Sequence, residues 1–172
     1  MEEQNRRKRL RLENFDYSQN GIYYITICTR DRVPCFGRVE YGDGSVKTDP
    51  YVRLTELGKI AEDEIANLPQ HYSGNVTVLY SVVMPDHIHI LLELINVFVG
   101  AGLDPPAKCP TIPQIIGSYK SGTTRRCNQR SNGSFAWQRG YYERVVRDDA
   151  EYCALAQYIE ENPRNWDNDK QQ

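Results

Sequence analysis

The spacing of apolar and polar positions changes several times along the chain, and each change predicts an element. The first twenty residues carry no period and read as a flexible basic arm. Gly21 then opens a β-branched and aromatic run, Ile22 to Thr29, that predicts a strand. Between Phe36 and Leu54, the Gly-Asp-Gly-Ser sequence after Tyr41 predicts a peripheral hairpin. Thr55 is a candidate N-cap for a helix with Leu57, Ile60, Ala61, Ile65 and Leu68 at helical spacing, which Pro69 should end. Val76 to Met84 and His87 to Leu94 read as two strands joined at Pro85-Asp86. A Gly- and Pro-rich loop follows, to Pro110. Thr111 then caps a helix to about Cys127, with Ile112, Ile115, Ile116 and Tyr119 inward. Phe135 to Val146 should include a strand. Asp148 or Asp149, with Glu151, starts a last helix on a Tyr152, Leu155, Ile159 stripe that should stop at Asn162-Pro163.

The order is strand, helix, strand, strand, helix, strand, and then an added helix. It predicts an α+β, ferredoxin-like βαββαβ sandwich with an antiparallel sheet and helices on one face. At 172 residues and 40% hydrophobic the chain has the length of one domain. The predicted organisation is a basic arm at 1–20, one domain at 21–166 and a polar tail at 167–172.

Composition changes the picture in three places. No apolar run approaches the roughly twenty residues a membrane helix needs, and the basic start has no apolar stretch behind it, so the expected location is cytoplasmic. Five cysteines, without Cys-x-x-Cys spacing, argue against a disulfide framework and a cysteine-rich zinc site. The net charge of −2 hides a segregation: residues 101–147 hold eight Lys or Arg against Asp104 and Glu143, whereas the stretch from Asp148 holds seven acids against Arg164 and Lys170. Such a segment can form a phosphate-binding surface or simply a solvated face balanced by acids elsewhere.

The candidate chemistry begins with His87-Ile88-His89. Two residues apart on a strand, the imidazoles share one face and Ile88 takes the other, which is half a metal site or merely two polar residues on a sheet. On the last helix Tyr158 lies off the centre of the core stripe, and Asn162 follows one turn later on the same face. Taken alone, a phenol at the core's edge with its hydroxyl in water and an asparagine capping the helix before Pro163 account for them better. Joined, the four residues suggest more. A metal on His87, His89 and Asn162 could polarise a DNA phosphate that Tyr158 attacks as a covalent nucleophile. Such an exchange conserves the bond energy and needs no ATP, and the chain has no Gly-x-x-x-x-Gly-Lys loop.

Three motifs in this order, Met84-Pro-Asp-His-Ile-His-Ile90, Trp137-Gln-Arg-Gly-Tyr-Tyr-Glu-Arg-Val-Val-Arg147 and Tyr158-Ile-Glu-Glu-Asn-Pro163, resemble the REP-associated tyrosine transposases. These belong to the HUH single-tyrosine superfamily of insertion-sequence-200-like enzymes, and the resemblance runs from about Tyr23 to Trp166. It implies that His87 and His89 are the metal-binding pair, with Asn162 placed to complete the site. Tyr158 would be the nucleophile that becomes joined to the 5′ phosphate of cleaved single-stranded DNA. The implied metal is Mg²⁺ or Mn²⁺, and the implied partner is a short imperfect single-stranded DNA hairpin such as a repetitive extragenic palindrome. Relatives often carry a histidine where this chain has Arg144. Lys120, Arg125, Arg126, Arg139 and Arg147 are the candidate DNA-binding residues. Of Trp137, Tyr141 and Tyr142, at least two are expected in the core rather than stacked on bases.

Two other functions compete. A non-catalytic single-stranded nucleic-acid-binding module would use the same fold, although the Lys/Arg-Gly-Phe-Gly-Phe signature of RNA-recognition sheets is missing. A metal hydrolase would use the histidine pair and leave Tyr158 and Asn162 idle. Whether a homodimer forms, with the tyrosine helix completing the partner's site, is open at this level.

Overall fold

The computed structural model describes residues 19–41, 49–72, 74–95 and 110–169, with side chains to Trp166. The arm at 1–18, the hairpin tip at 42–48, most of the Gly- and Pro-rich loop and the last three residues lie outside the described residues. Among the described residues six strands and three α-helices follow one another as β1 (Gly21–Cys28), β2 (Gly37–Glu40), β3 (Tyr51–Leu54), α1 (Glu56–His71), β4 (Val76–Val83), β5 (His87–Leu94), α2 (Ile112–Arg130), β6 (Tyr142–Val145) and α3 (Asp149–Asp169).

The main sheet has the order β4-β5-β1-β6, and every neighbouring pair in it is antiparallel. This is the split βαβ arrangement expected of a ferredoxin-like sandwich. β2 and β3 form the separate hairpin. Strand β5 is central and buried on both faces. Ile88, Ile90, Leu92 and Leu94 join the core with Tyr23, Ile25 and Ile27 of β1 and the inward residues of α1 and α2. Each such aliphatic side chain contributes about 1.5–3 kcal/mol by leaving water. Leu91, on the other face, packs with Tyr24, Ala156 and Ile159 beneath α3. The added helix therefore covers the face opposite α1 and α2. The expectation of helices on one face holds only for the first two.

Helix starts agree with the sequence, and helix ends depart from it. Thr55 Oγ1 accepts from Gly58 N at 3.2 Å. At α2, Thr111 and Gln114 form the reciprocal capping box. At α3 it is Asp148 that caps, its Oδ1 accepting from Glu151 N at 2.8 Å, while Glu151 Oε2 accepts from Arg147 N at 2.8 Å. Pro69 sits inside the last turn of α1, which runs on to His71, and α2 continues past Cys127 to Arg130.

The larger correction concerns α3. It does not stop at Asn162-Pro163 but passes through Pro163 to Asp169, taking in the first residues of the predicted tail. Proline removes one intrahelical donor, but the turns beyond it bury Trp166 against His87, and that packing overrides the local signal. Among the described residues no helix is long and apolar enough to cross a membrane.

Candidate active site

His87 and His89 are buried polar residues on the α3 face of β5, which they share with Leu91 and the less buried Glu93. Their rings stand 4.6 Å apart between centroids. Strand alternation sends Ile88 into the opposite core, as the spacing predicts. Buried imidazoles need partners, and each finds them through Nδ1. His87 Nδ1 lies 2.7 Å from Asp86 Oδ1, and the carboxylate's Oδ2 is 3.3 Å from Arg32 Nε. Across the sheet, Thr26 is the register partner of His89. His89 Nδ1 lies 2.9 Å from Thr26 Oγ1 and 2.7 Å from the Tyr24 hydroxyl.

His89 Nε2 is buried with no hydrogen-bond partner. Burial first, then the neighbouring His87 and Arg32, holds this imidazole well below the ordinary histidine range. It is therefore neutral at pH 7. With a proton on Nδ1 shared toward the hydroxyls, Nε2 presents a lone pair, the form in which histidine binds metals.

Helix α3 lies over the pair. Tyr158 places its ring 5.4 Å from His89, and Trp166 stacks on His87 at 5.9 Å and 25°. Asn162 is on the turn between these two, at i+4 from Tyr158 and i−4 from Trp166. It is 0% exposed, and neither Nδ2 nor Oδ1 has a hydrogen-bond partner. A buried carboxamide left unpaired costs about 1–3 kcal/mol, a cost that a partner for its oxygen or its amide hydrogens would relieve. Tyr158, by contrast, is 38% exposed, open to a substrate approaching from solvent. Its ring meets His89 of its own chain, so the tyrosine helix lies over the histidine pair of the same chain.

The donor atoms fit a divalent cation: two imidazole nitrogens that face away from their Nδ1 partners and one amide oxygen. Among the described residues no group of three or more His, Cys, Asp or Glu forms a metal cluster.

Residues 61–162 match the family model described as Transposase IS200 like. The chain belongs to the IS200-like transposase family. The match contains the histidine pair, Tyr158 and Asn162, and it bears out the family resemblance read from the three motifs. An uncharacterised Haemophilus influenzae protein is 28% identical over 174 residues, spanning 95% of this chain and 92% of its own length. A second protein of that organism, provisionally named a REP-associated tyrosine transposase, is 23% identical over 158 residues, 86% of this chain and 73% of its own. A solved REP-associated tyrosine transposase bound to a REP hairpin shares the fold, with a TM-score of 0.56 at 16% identity over 90% of this chain and 73% of the other.

The five basic residues expected to form one surface in this IS200-like transposase lie in three environments. Arg126 is engaged by Glu64 and Asp63 of α1, at 2.8 and 3.3 Å. Arg147 borders a cavity on the α3 side beside Glu93, Asp148 and Asp149. Lys120, Arg125 and Arg139 line another cavity, and there Lys120 Nζ donates to the carbonyls of Gln138 and Gly140 at 2.8 and 2.7 Å. Arg144 pairs with Glu151. Trp137 is in the core, Tyr141 packs against it, and Tyr142 is exposed.

Sequence reasoning missed Asp86, Tyr24, Thr26 and Trp166. Asp86 was legible as a carboxylate next to a histidine, and Trp166 as the next same-face position after Asn162. Tyr24 and Thr26 required the β1–β5 register.

Proposed function

We propose that this IS200-like transposase cleaves and rejoins single-stranded hairpin DNA of the REP type through a covalent 5′-phosphotyrosine at Tyr158. The observation that carries the reading is the convergence on one sheet face of a partly exposed phenol, two buried imidazoles, of which His89 keeps Nε2 without a partner, and a buried amide without one. A structural site would satisfy its buried polar atoms internally.

In cleavage, the Tyr158 oxygen bonds to phosphorus, the bond from phosphorus to the 3′ oxygen breaks, and the phenol proton ends on the released 3′ hydroxyl. Attack by a 3′ hydroxyl on the phosphotyrosine reverses the exchange, so one bond energy serves both steps. His87, His89 and Asn162 would hold Mn²⁺ or Mg²⁺, which supplies Lewis-acid polarisation of the phosphate. The imidazole pair favours Mn²⁺ of the two. The Asp86 carboxylate, an acceptor, favours the proton on Nδ1 of His87, and the Tyr24 and Thr26 hydroxyls hold the orientation of the His89 ring. Trp166 packs the far side of His87 and limits its rotation. Lys120, Arg125, Arg126, Arg139 and Arg147 remain the basic residues available to the DNA, with Arg126 and Lys120 already partly spent on protein acceptors.

The test is labelled hairpin DNA with the flanks of its native locus, incubated with the protein and either Mn²⁺ or EDTA. A denaturant-resistant protein–DNA adduct in Mn²⁺ alone is the expected result. Cleavage without an adduct would favour a metal hydrolase, and binding without cleavage a non-catalytic module. A second expectation concerns Asp86: Asp86→Ala should weaken Mn²⁺ binding by about 10–100-fold, and Asp86→Asn, which keeps an acceptor for His87 Nδ1, by less. Calorimetric titration of the two variants measures this directly.

A further inference from the structure

Beside the histidine centre, the end of β1 carries a second feature. Residues 136–138 extend the sheet there: Arg30 N donates to Ala136 O at 2.9 Å, Gln138 N donates to Cys28 O at 2.8 Å, and Thr29 bridges Trp137. Between this segment and α2 lies a cavity of about 650 Å³. Its rim carries Arg30, Lys120, Arg125 and Arg139, and no carboxylate lines it. A second cavity of about 460 Å³ shares Arg30, Trp137, Gln138 and Arg139 with the first and extends to Asp31 and Arg32. Arg32 is the partner of Asp86, which holds His87.

Through these shared residues the two cavities make one trough, from Lys120 and Arg125 of α2 to Arg32, which reaches His87 only through Asp86. Cys28 pairs with His87 on one side and receives Gln138 on the other, so the trough's floor is two strand spacings, about 10 Å, from His87. The cations divide into two roles. Lys120 is spent on the carbonyls of Gln138 and Gly140, which pins the turn carrying Arg139. Arg30, Arg125 and Arg139 are exposed, and planar guanidiniums suit phosphate oxygens better than a point charge does.

Resting on the strand-transfer reading, we infer that this trough is the track for the phosphodiester backbone of the strand leading to Tyr158, with Arg30, Arg125 and Arg139 as its phosphate contacts. The sequence-level set loses Arg126 and Arg147 from this surface and gains Arg30.

The experiment is DNA binding in EDTA, where no cleavage intervenes, as a function of salt. Wild type, the three single Arg→Gln variants, the triple variant R30Q/R125Q/R139Q and the distant exposed control Lys59→Gln are compared. Three oligonucleotides are used: a hairpin with flanks, the hairpin alone, and an unstructured strand. Each lost contact to a single strand should lower the slope of log K against log salt by about 0.7, and the triple variant by about 2. Loss on the flanked and unstructured strands assigns the phosphates to the single-stranded flank and supports the track. Loss on the bare hairpin as large as on the flanked one assigns them to the stem and overturns it. Slopes unchanged in the triple variant, or lowered as much by Lys59→Gln as by each groove substitution, overturn it. The slopes of the single variants guard against a misfolded triple variant. A wild type that binds with these slopes but forms no adduct in Mn²⁺ defeats the strand-transfer reading alone. Unaltered slopes in a protein that does form the adduct defeat the track alone.

Discussion

Tyr158→Phe is expected to abolish the protein–DNA adduct and to lower strand cleavage by at least roughly 10³-fold, while leaving hairpin binding and the folded state intact. The substitution removes one oxygen and keeps the ring that packs 5.4 Å from His89. Because the side chain is partly in solvent, the loss of its hydroxyl should change stability by less than about 1 kcal/mol. Adduct formation on a denaturing gel, anisotropy of labelled DNA and a urea melt together separate chemistry from binding and folding. An adduct that persists in Tyr158→Phe would move the nucleophile elsewhere, and a parallel loss of binding would make Tyr158 a DNA contact instead.

The second large effect is structural. Gly58→Ala would ordinarily stabilise a helix by about 1 kcal/mol, since alanine is the better helix former. Here a Cβ on Gly58 would stand 2.0 Å from Phe36 O and 3.0 Å from a Leu54 methyl. Phe36 O cannot retreat freely, because it accepts from Thr55 N at 2.8 Å, and Phe36 N donates to Pro85 O at 3.0 Å. Helix α1 would have to lift from the segment leading into β2, opening the core around Phe36. A destabilisation of about 2–4 kcal/mol is expected, with the sign opposite to helix propensity. A urea midpoint equal to or above that of wild type would show that α1 moves away at little cost. The same contact ties Pro85 of the histidine hairpin to the start of α1, so the variant should also loosen the turn before His87.

The candidate site residues were legible because their relations are local. Alternation along β5 puts His87 and His89 on one face, and a four-residue step along α3 puts Asn162 beside Tyr158, whatever the rest of the chain does. The hairpin of β4 and β5 was legible for the same reason, since Pro85-Asp86 lies between two β-branched runs. The surroundings of those residues were not. Tyr24 and Thr26 are 65 and 63 residues from His89 in sequence, and only the sheet order β5-β1 brings them to its Nδ1. Arg126 looked like part of a basic face until α1 supplied Glu64 and Asp63 from across the helix pair. Pro163 is a stop signal in isolation, yet the buried contact of Trp166 with His87 carries α3 past it.

By itself, then, the sequence determined the order of elements, the caps that start the helices, the shared face of the two histidines and the pairing of Tyr158 with Asn162. Each follows from backbone period and side-chain chemistry within a few residues. Tertiary structure alone decided that α3 crosses the sheet on the side opposite α1 and α2, which histidine nitrogen stays unspent, and which arginines remain open to a partner. Those outcomes depend on which buried polar atoms find partners when distant segments pack, and desolvation makes each unpaired one count.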